Sequence, residues 1–145
     1  MWHNLLTCRI LYDQNGRLTR TKERFQVPYP PQLRQNILAH SWRLLHASMP
    51  AYDGQLLKAA RRGDLVSVNH RAAAFLEAYF DYLFALNGRT HPGEKRLIQI
   101  CRERCGILPA RFEENLEGMF QDLFGAPDQV GGRISAILSE LERLA

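Results

Sequence analysis

Polar and apolar positions alternate with helical period through most of the chain. Leu33, Ile37, Leu38, Trp42 and Leu45 recur near i, i+4 spacing and predict a helix over 31–49. Pro31 suits its first turn and Pro50 ends it. A second helix is predicted over 51–62, with Gly63 at its C′ position. Asp64 is placed to cap a third that runs to Leu86, where Asn87-Gly88 is the stop signal. On that third helix Leu65, Ala72, Leu76, Tyr79, Phe80 and Leu83 share a face at about 100° per residue, and Val66, Ala73 and Phe84 widen it. An arc that broad predicts burial around about half the circumference, which makes this helix the spine of the fold. Further helices are predicted over 93–105, 109–124 and 128–144, the second entered at Pro109 and closed by Gly125. Short loops between them favour antiparallel packing.

The start of the chain reads differently. Residues 8–12, CRILY, form a short β-prone run, and Asp13-Gln14-Asn15-Gly16 follows as a turn signal. A lone strand cannot satisfy its own backbone, and nothing later offers it a partner. The run is therefore expected to be the trailing edge of a larger sheet. Arg17 to Gln26 predicts a short polar helix, and Val27-Pro28-Tyr29-Pro30-Pro31 an extended linker, because each X-Pro step disfavours the α region. The fold expected is all-α: an antiparallel bundle of five to six helices over 27–145, behind a strand remnant, tail and linker over 1–26.

Composition narrows the function classes. The chain has 145 residues, enough for one domain with a sizeable core. No apolar run reaches the roughly 18 residues of a membrane span, and the N-terminus lacks a leader pattern; no membrane partner is expected, and the cytoplasm is the expected location. Cys101 and Cys105 stand four apart on a predicted helix, where reduced thiols near the core are expected rather than a disulfide. No His or Cys pair at finger spacing completes a zinc site. Charge divides unevenly, with residues 1–62 carrying +7 and residues 63–145 carrying −3. Sixteen of the nineteen basic residues are arginine, which suits bidentate contacts to phosphate or carboxylate. The basic half reads either as a solvated surface or as one facing a phosphate-bearing ligand, RNA or an acidic partner domain.

Several polar residues stand out. Asn69 projects near the centre of the spine helix's apolar arc, where a buried amide needs hydrogen bonds, structural or functional. Glu77 falls at the arc's edge with His70 and Asp81 on the same side. A carboxylate half buried there can have a raised pKa and serve as a base; the plainer alternative is a boundary charge paired with arginine. After the spine helix, Asn87-Gly88-Arg89 leads into Gly93-Glu94-Lys95-Arg96, a helix start carrying cations and a possible phosphate site. Hydrolase and zinc-protease signatures are missing, as are the paired aspartates of nucleotidyl transfer. Arg34 and His40 match the loose R-x4–6-H spacing of HEPN-type ribonucleases, although on the first bundle helix rather than a late one.

Two segments carry a resemblance. NLLTCRILYDQNGRL at 4–18 looks like the end of the catalytic domain in aminoglycoside-type nucleotidyltransferases, where a last strand runs into an Asp and a Gly turn. LFALNGRTHPGEKRL at 83–97 is similar to a stretch of an uncharacterised nucleotidyltransferase-like family, within a C-terminal helical domain of the kanamycin-nucleotidyltransferase/HEPN-like kind. This chain carries Gly88 and Thr90-His91 where that family often has larger or aromatic residues. The resemblance implies the helical substrate- and nucleotide-binding half of a two-domain nucleotidyltransferase. Mg²⁺ and a nucleoside triphosphate would be held with an upstream catalytic domain, in cis or in trans. This chain, lacking those aspartates, would bind no cofactor itself and be inactive alone, and Met1 would be a start inside a longer protein. Glu77 or Asp81 would act as base for a hydroxyl-bearing acceptor. Asn69, Asn87, Arg89 and Lys95 would contact nucleotide or substrate, Asn87 at the sugar and Lys95 at phosphate. The alternatives are a free-standing HEPN-like homodimer, acting as ribonuclease or as partner of a separate small nucleotidyltransferase, and a helical adaptor without a small ligand.

Overall fold

The structure, a computed structural model, describes residues 2–47 and 49–144. Among them all regular structure is helical. The helices are α1 (Trp2–Thr7), α2 (Arg17–Arg24), α3 (Pro31–Trp42), α4 (Tyr52–Arg61), α5 (Leu65–Leu86), α6 (Leu97–Arg104), α7 (Phe112–Gly125) and α8 (Val130–Glu142). Residues Arg43–Ala47 continue α3 as one π-helical turn. The six helices from α3 onward match the expected bundle. No helix among the described residues is long and apolar enough to cross a membrane.

The expected strand over 8–12 is not formed. Cys8 N–H instead closes onto Asn4 O of α1, and the Lys22 ammonium donates to Cys8 O at 2.7 Å. Asp13 then caps α2 through Thr19, whose N–H and hydroxyl each lie 2.8 Å from Oδ2. Trp2 of α1 stacks on Tyr29 with ring centroids 5.6 Å apart, and its indole N–H donates to Phe25 O. Among the described residues there is no sheet for the run to border, and Cys8 and Asp13 at its ends take their partners from α1 and α2.

α5 is the spine, packed between α3 and α4, with α6 alongside; α7 and α8 pair as a hairpin that touches α4. Its caps are those the sequence signals. Asp64 accepts from Ser67 N–H at 3.1 Å and from the Ser67 hydroxyl at 2.6 Å. At the other end Gly88 adopts φ +61°, Gly88 N–H bonds Ala85 O, and Arg89 N–H bonds Phe84 O, the paired bonds of a Schellman close. Glycine is favoured there because a Cβ crowds the backbone at positive φ.

The buried face of α5 differs from the arc drawn by periodicity. Leu65 and Val66 are 61% and 69% exposed, and Ala73 is exposed as well. The stripe that packs is Val68, Ala72, Phe75 and Tyr79; Phe75 is fully buried and stacks on Tyr79, which stacks on Phe112 of α7. Asn69 consequently lies in solvent rather than at the centre of the apolar face. The first two turns of α5 have neighbours on a narrower front than its second half, where nearly every side chain is covered. Cys101 and Cys105 are buried free thiols, as expected.

Candidate functional site

From Ala78 to Leu86 every residue of α5 is buried except one, and that one is Asp81. An apolar helix turn is a costly place for a carboxylate unless it faces something polar. Asp81 opens into a cleft of about 190 Å³. α1 contributes Trp2 and His3 to its walls, the linker Tyr29, α3 Leu33 and Ile37, and α5 Phe84 beside Asp81. The loop released by the Gly88 close contributes Arg89, Thr90 and His91. Ligand sites usually measure about 300–1,000 Å³, so this cleft has the size of part of a site.

Its electrostatics are set by burial. Burial pushes Asp81 above the usual carboxylate range; His91 and His40 oppose that rise and Glu77 adds to it. Burial pulls His91 below the usual imidazole value, against the pull of Asp81 and Glu77 in the other direction. Tyr29 is raised by burial and by Asp81. His3 is lowered, first by burial and then by Arg104, and its Nδ1 lies 2.9 Å from the Thr90 hydroxyl. The His91 ring meets Phe84 edge to face at 5.1 Å. His91 Nδ1 accepts from Gly93 N–H at 3.1 Å, which leaves the neutral ring's proton on Nε2. That Nε2 is buried and has no hydrogen-bond partner among the described residues. A buried donor without a partner is costly unless a ligand oxygen or a water reaches it, and His91 lies in the wall of the cleft.

Of the six residues singled out by sequence, the structure brings two into this cleft, Asp81 and Arg89. Glu77, one turn before Asp81, is exposed and bears on the site through its charge. His70 is exposed too, so the expected His-Glu-Asp ridge lies in solvent except at Asp81. Asn69 is three turns further back. Lys95 is exposed in the turn before α6, which begins at Leu97 instead of 93, and it does not line the cleft.

Asn87 has a different occupation from the expected sugar contact. Its Nδ2 donates to Leu83 O at 2.9 Å and to Ile107 O at 2.8 Å, and its Oδ1 accepts Ile107 N–H at 2.8 Å. Both amide hydrogens are used to tie the end of α5 to the segment after α6. Arg34 also serves this end, since its guanidinium donates to Leu86 O at 3.1 and 3.3 Å. Arg34 and His40 are about 120° apart around α3, Arg34 toward Leu86 and His40 toward Asp81. Within one chain the two side chains therefore serve different places.

Sequence reasoning missed Trp2, His3, Tyr29 and His91. Only Thr90-His91 carried a signal, as the place where the chain departs from the pattern it resembles. Among the described residues no three His, Cys, Asp or Glu side chains come together as metal ligands. The described side chains therefore offer no three-ligand cluster for the implied Mg²⁺.

No curated protein and no solved structure matches the chain. Residues 3–97 match a family described as "Domain of unknown function (DUF4037)", a span that includes α2 to α5, α1 after its first residue, and every residue lining the cleft except Trp2. That match covers well over half of the sequence, and the chain belongs to this family.

Proposed function

We propose that the chain is the helical substrate- and nucleotide-binding part of a two-domain nucleotidyltransferase, with Asp81 rather than Glu77 as the base for an acceptor hydroxyl. The observation that carries this reading is the cleft itself. A carboxylate set in an otherwise buried turn faces a small, largely apolar recess beside an unpartnered imidazole N–H and an arginine.

The chemistry follows from the pKa directions. A carboxylate lifted by burial binds a proton more strongly than one in water and is a better base for a hydroxyl. His91 stays neutral at pH 7, because burial holds it below its usual value. It therefore offers Nε2–H as a neutral donor to a ligand oxygen. Arg89 at the rim supplies positive charge for phosphate. The aromatic pair Trp2–Tyr29 forms an apolar wall suited to a base or sugar face. The recess is too small for a whole nucleotide, in keeping with a site completed by a second domain that supplies the paired aspartates and the cytoplasmic nucleotide pool's triphosphate.

The test is binding by the full chain. ATP and a hydroxyl-rich aminosugar are titrated separately while backbone amide resonances are followed. Saturable shifts at Arg89, Thr90 and His91 are the expected result. Shifts confined to other faces, or none up to about 10 mM, an affinity near 3 kcal/mol, overturn the reading.

A further inference from the structure

A second polar recess lies outside the family-matched span, between α7 and α8, with a volume of about 420 Å³. Asn115 and Asp122 on α7 face Gly132 and Arg133 on α8 across it. The spacing explains the alignment: 115, 118 and 122 form one stripe of α7, and 129, 132, 133 and 136 one stripe of α8.

Three features show that the recess is built. Gly118 makes room for the Arg133 side chain, since a Cβ there would lie 2.5 Å from the guanidinium carbon. Arg133 lies in that gap and donates through Nε to Asp122 at 2.9 Å. Its two terminal nitrogens have no partner among the described residues. Asn115 is 6% exposed, and its side-chain amide has no partner among them either. The N-terminus of α8 has no side-chain cap, and the N–H groups of Gly131 and Gly132 are unpartnered there. An unpartnered amide on the wall of a recess and free helix N–H groups are open to an anion.

The opposite sign is present too. Asp128, in the turn before α8, lines the recess and has no ion-pair partner among the described residues. Arg111 and Glu114 at the far end neutralise each other. Asp128, without an ion-pair partner, set against the unpartnered terminal nitrogens of the Arg133–Asp122 pair and against the amide donors complements a ligand that carries both charges. A simple anion would leave Asp128 opposed to it, and a simple cation would leave the terminal guanidinium nitrogens and the helix end without a partner.

We infer that the α7–α8 recess binds a free α-amino acid. The ligand carboxylate lies on Arg133, Asn115 and the α8 N-terminus, and its ammonium faces Asp128. This site is independent of the Asp81 cleft and stands or falls separately from it.

The full chain is titrated with each common α-amino acid at about 5 mM, with acetate, methylammonium and inorganic phosphate in parallel at matched ionic strength. The readouts are the Asn115 side-chain amide and the Gly132 backbone amide. At least one amino acid is expected to shift both saturably, with each single-charge probe at least about tenfold weaker. Asn115→Leu and Asp128→Asn are expected to weaken that binding about tenfold each. Both variants leave the Arg133–Asp122 pair intact, and a retained thermal transition shows that they fold. No saturable shift with any amino acid overturns the inference. So does acetate or phosphate binding as tightly as the best amino acid, or unchanged binding by both variants.

Discussion

Replacing Asn87 separates a structural from a ligand-binding role at the end of the spine helix. In Asn87→Ala three hydrogen bonds disappear: two to the backbone of Ile107 and one to Leu83 O. Leu83 O keeps a bond from Asn87 N–H at 3.2 Å, so its loss is partial. Ile107 is 45% exposed, and water can replace its two lost partners. Each such bond contributes about 0.5–1.5 kcal/mol net, so the expected loss is about 1.5–3 kcal/mol. With a urea slope of about 2 kcal/mol/M, the unfolding midpoint falls by about 1 M. Asn87→Asp is expected to be at least as destabilising, because a carboxylate would then face the carbonyls of Leu83 and Ile107. Urea unfolding of the three proteins, followed by circular dichroism, is the assay. A loss below about 0.5 kcal/mol in both variants, together with abolished ATP binding, refutes the structural assignment and restores Asn87 as a ligand contact.

Other consequences follow from the same geometry. Because burial raises Asp81 in the fold, wild-type stability falls as pH rises from the ordinary carboxylate value of 3.8 through the folded value. Asp81→Asn lacks that component, so the stability of the variant relative to wild type rises across the same window and then levels, as urea melts at a series of pH values will show; parallel curves count against it. In the same variant His91 titrates lower still, since Asp81 is the larger of the two carboxylates that pull it upward, and its ring proton resonances report the shift. Asp64 behaves oppositely: its bonds from Ser67 lower its pKa, so Asp64→Ala is less stable at pH 7, and the difference closes as pH falls below 3.8. Gly88→Ala keeps ordinary contact with Tyr29, 3.7 Å from the added Cβ, but pays left-handed backbone strain of about 1–2 kcal/mol, read as a lowered melting temperature.

The interval of helices was fixed by the chain's own letters. Asp64, Asn87-Gly88 and Gly63 act on atoms within a few residues of themselves, so their caps could be read without knowing any neighbour. The periodic runs likewise required helices, because only that geometry collects their apolar residues on one side. Tertiary structure decided which side. Leu65 and Val66 look like core but extend past the helices that would cover them, while Phe75 meets Tyr79 and, through it, Phe112. It also overruled the β-prone run at 8–12, since strand propensity is expressed only where a second strand supplies hydrogen bonds. The cleft was partly legible. Asp81 and Arg89 belong to one local segment, whereas Trp2, His3 and Tyr29 reach it across more than fifty residues of sequence. Pattern along a chain records what neighbours in sequence require of each other; a recess walled by five separate segments exists only once packing has brought them together.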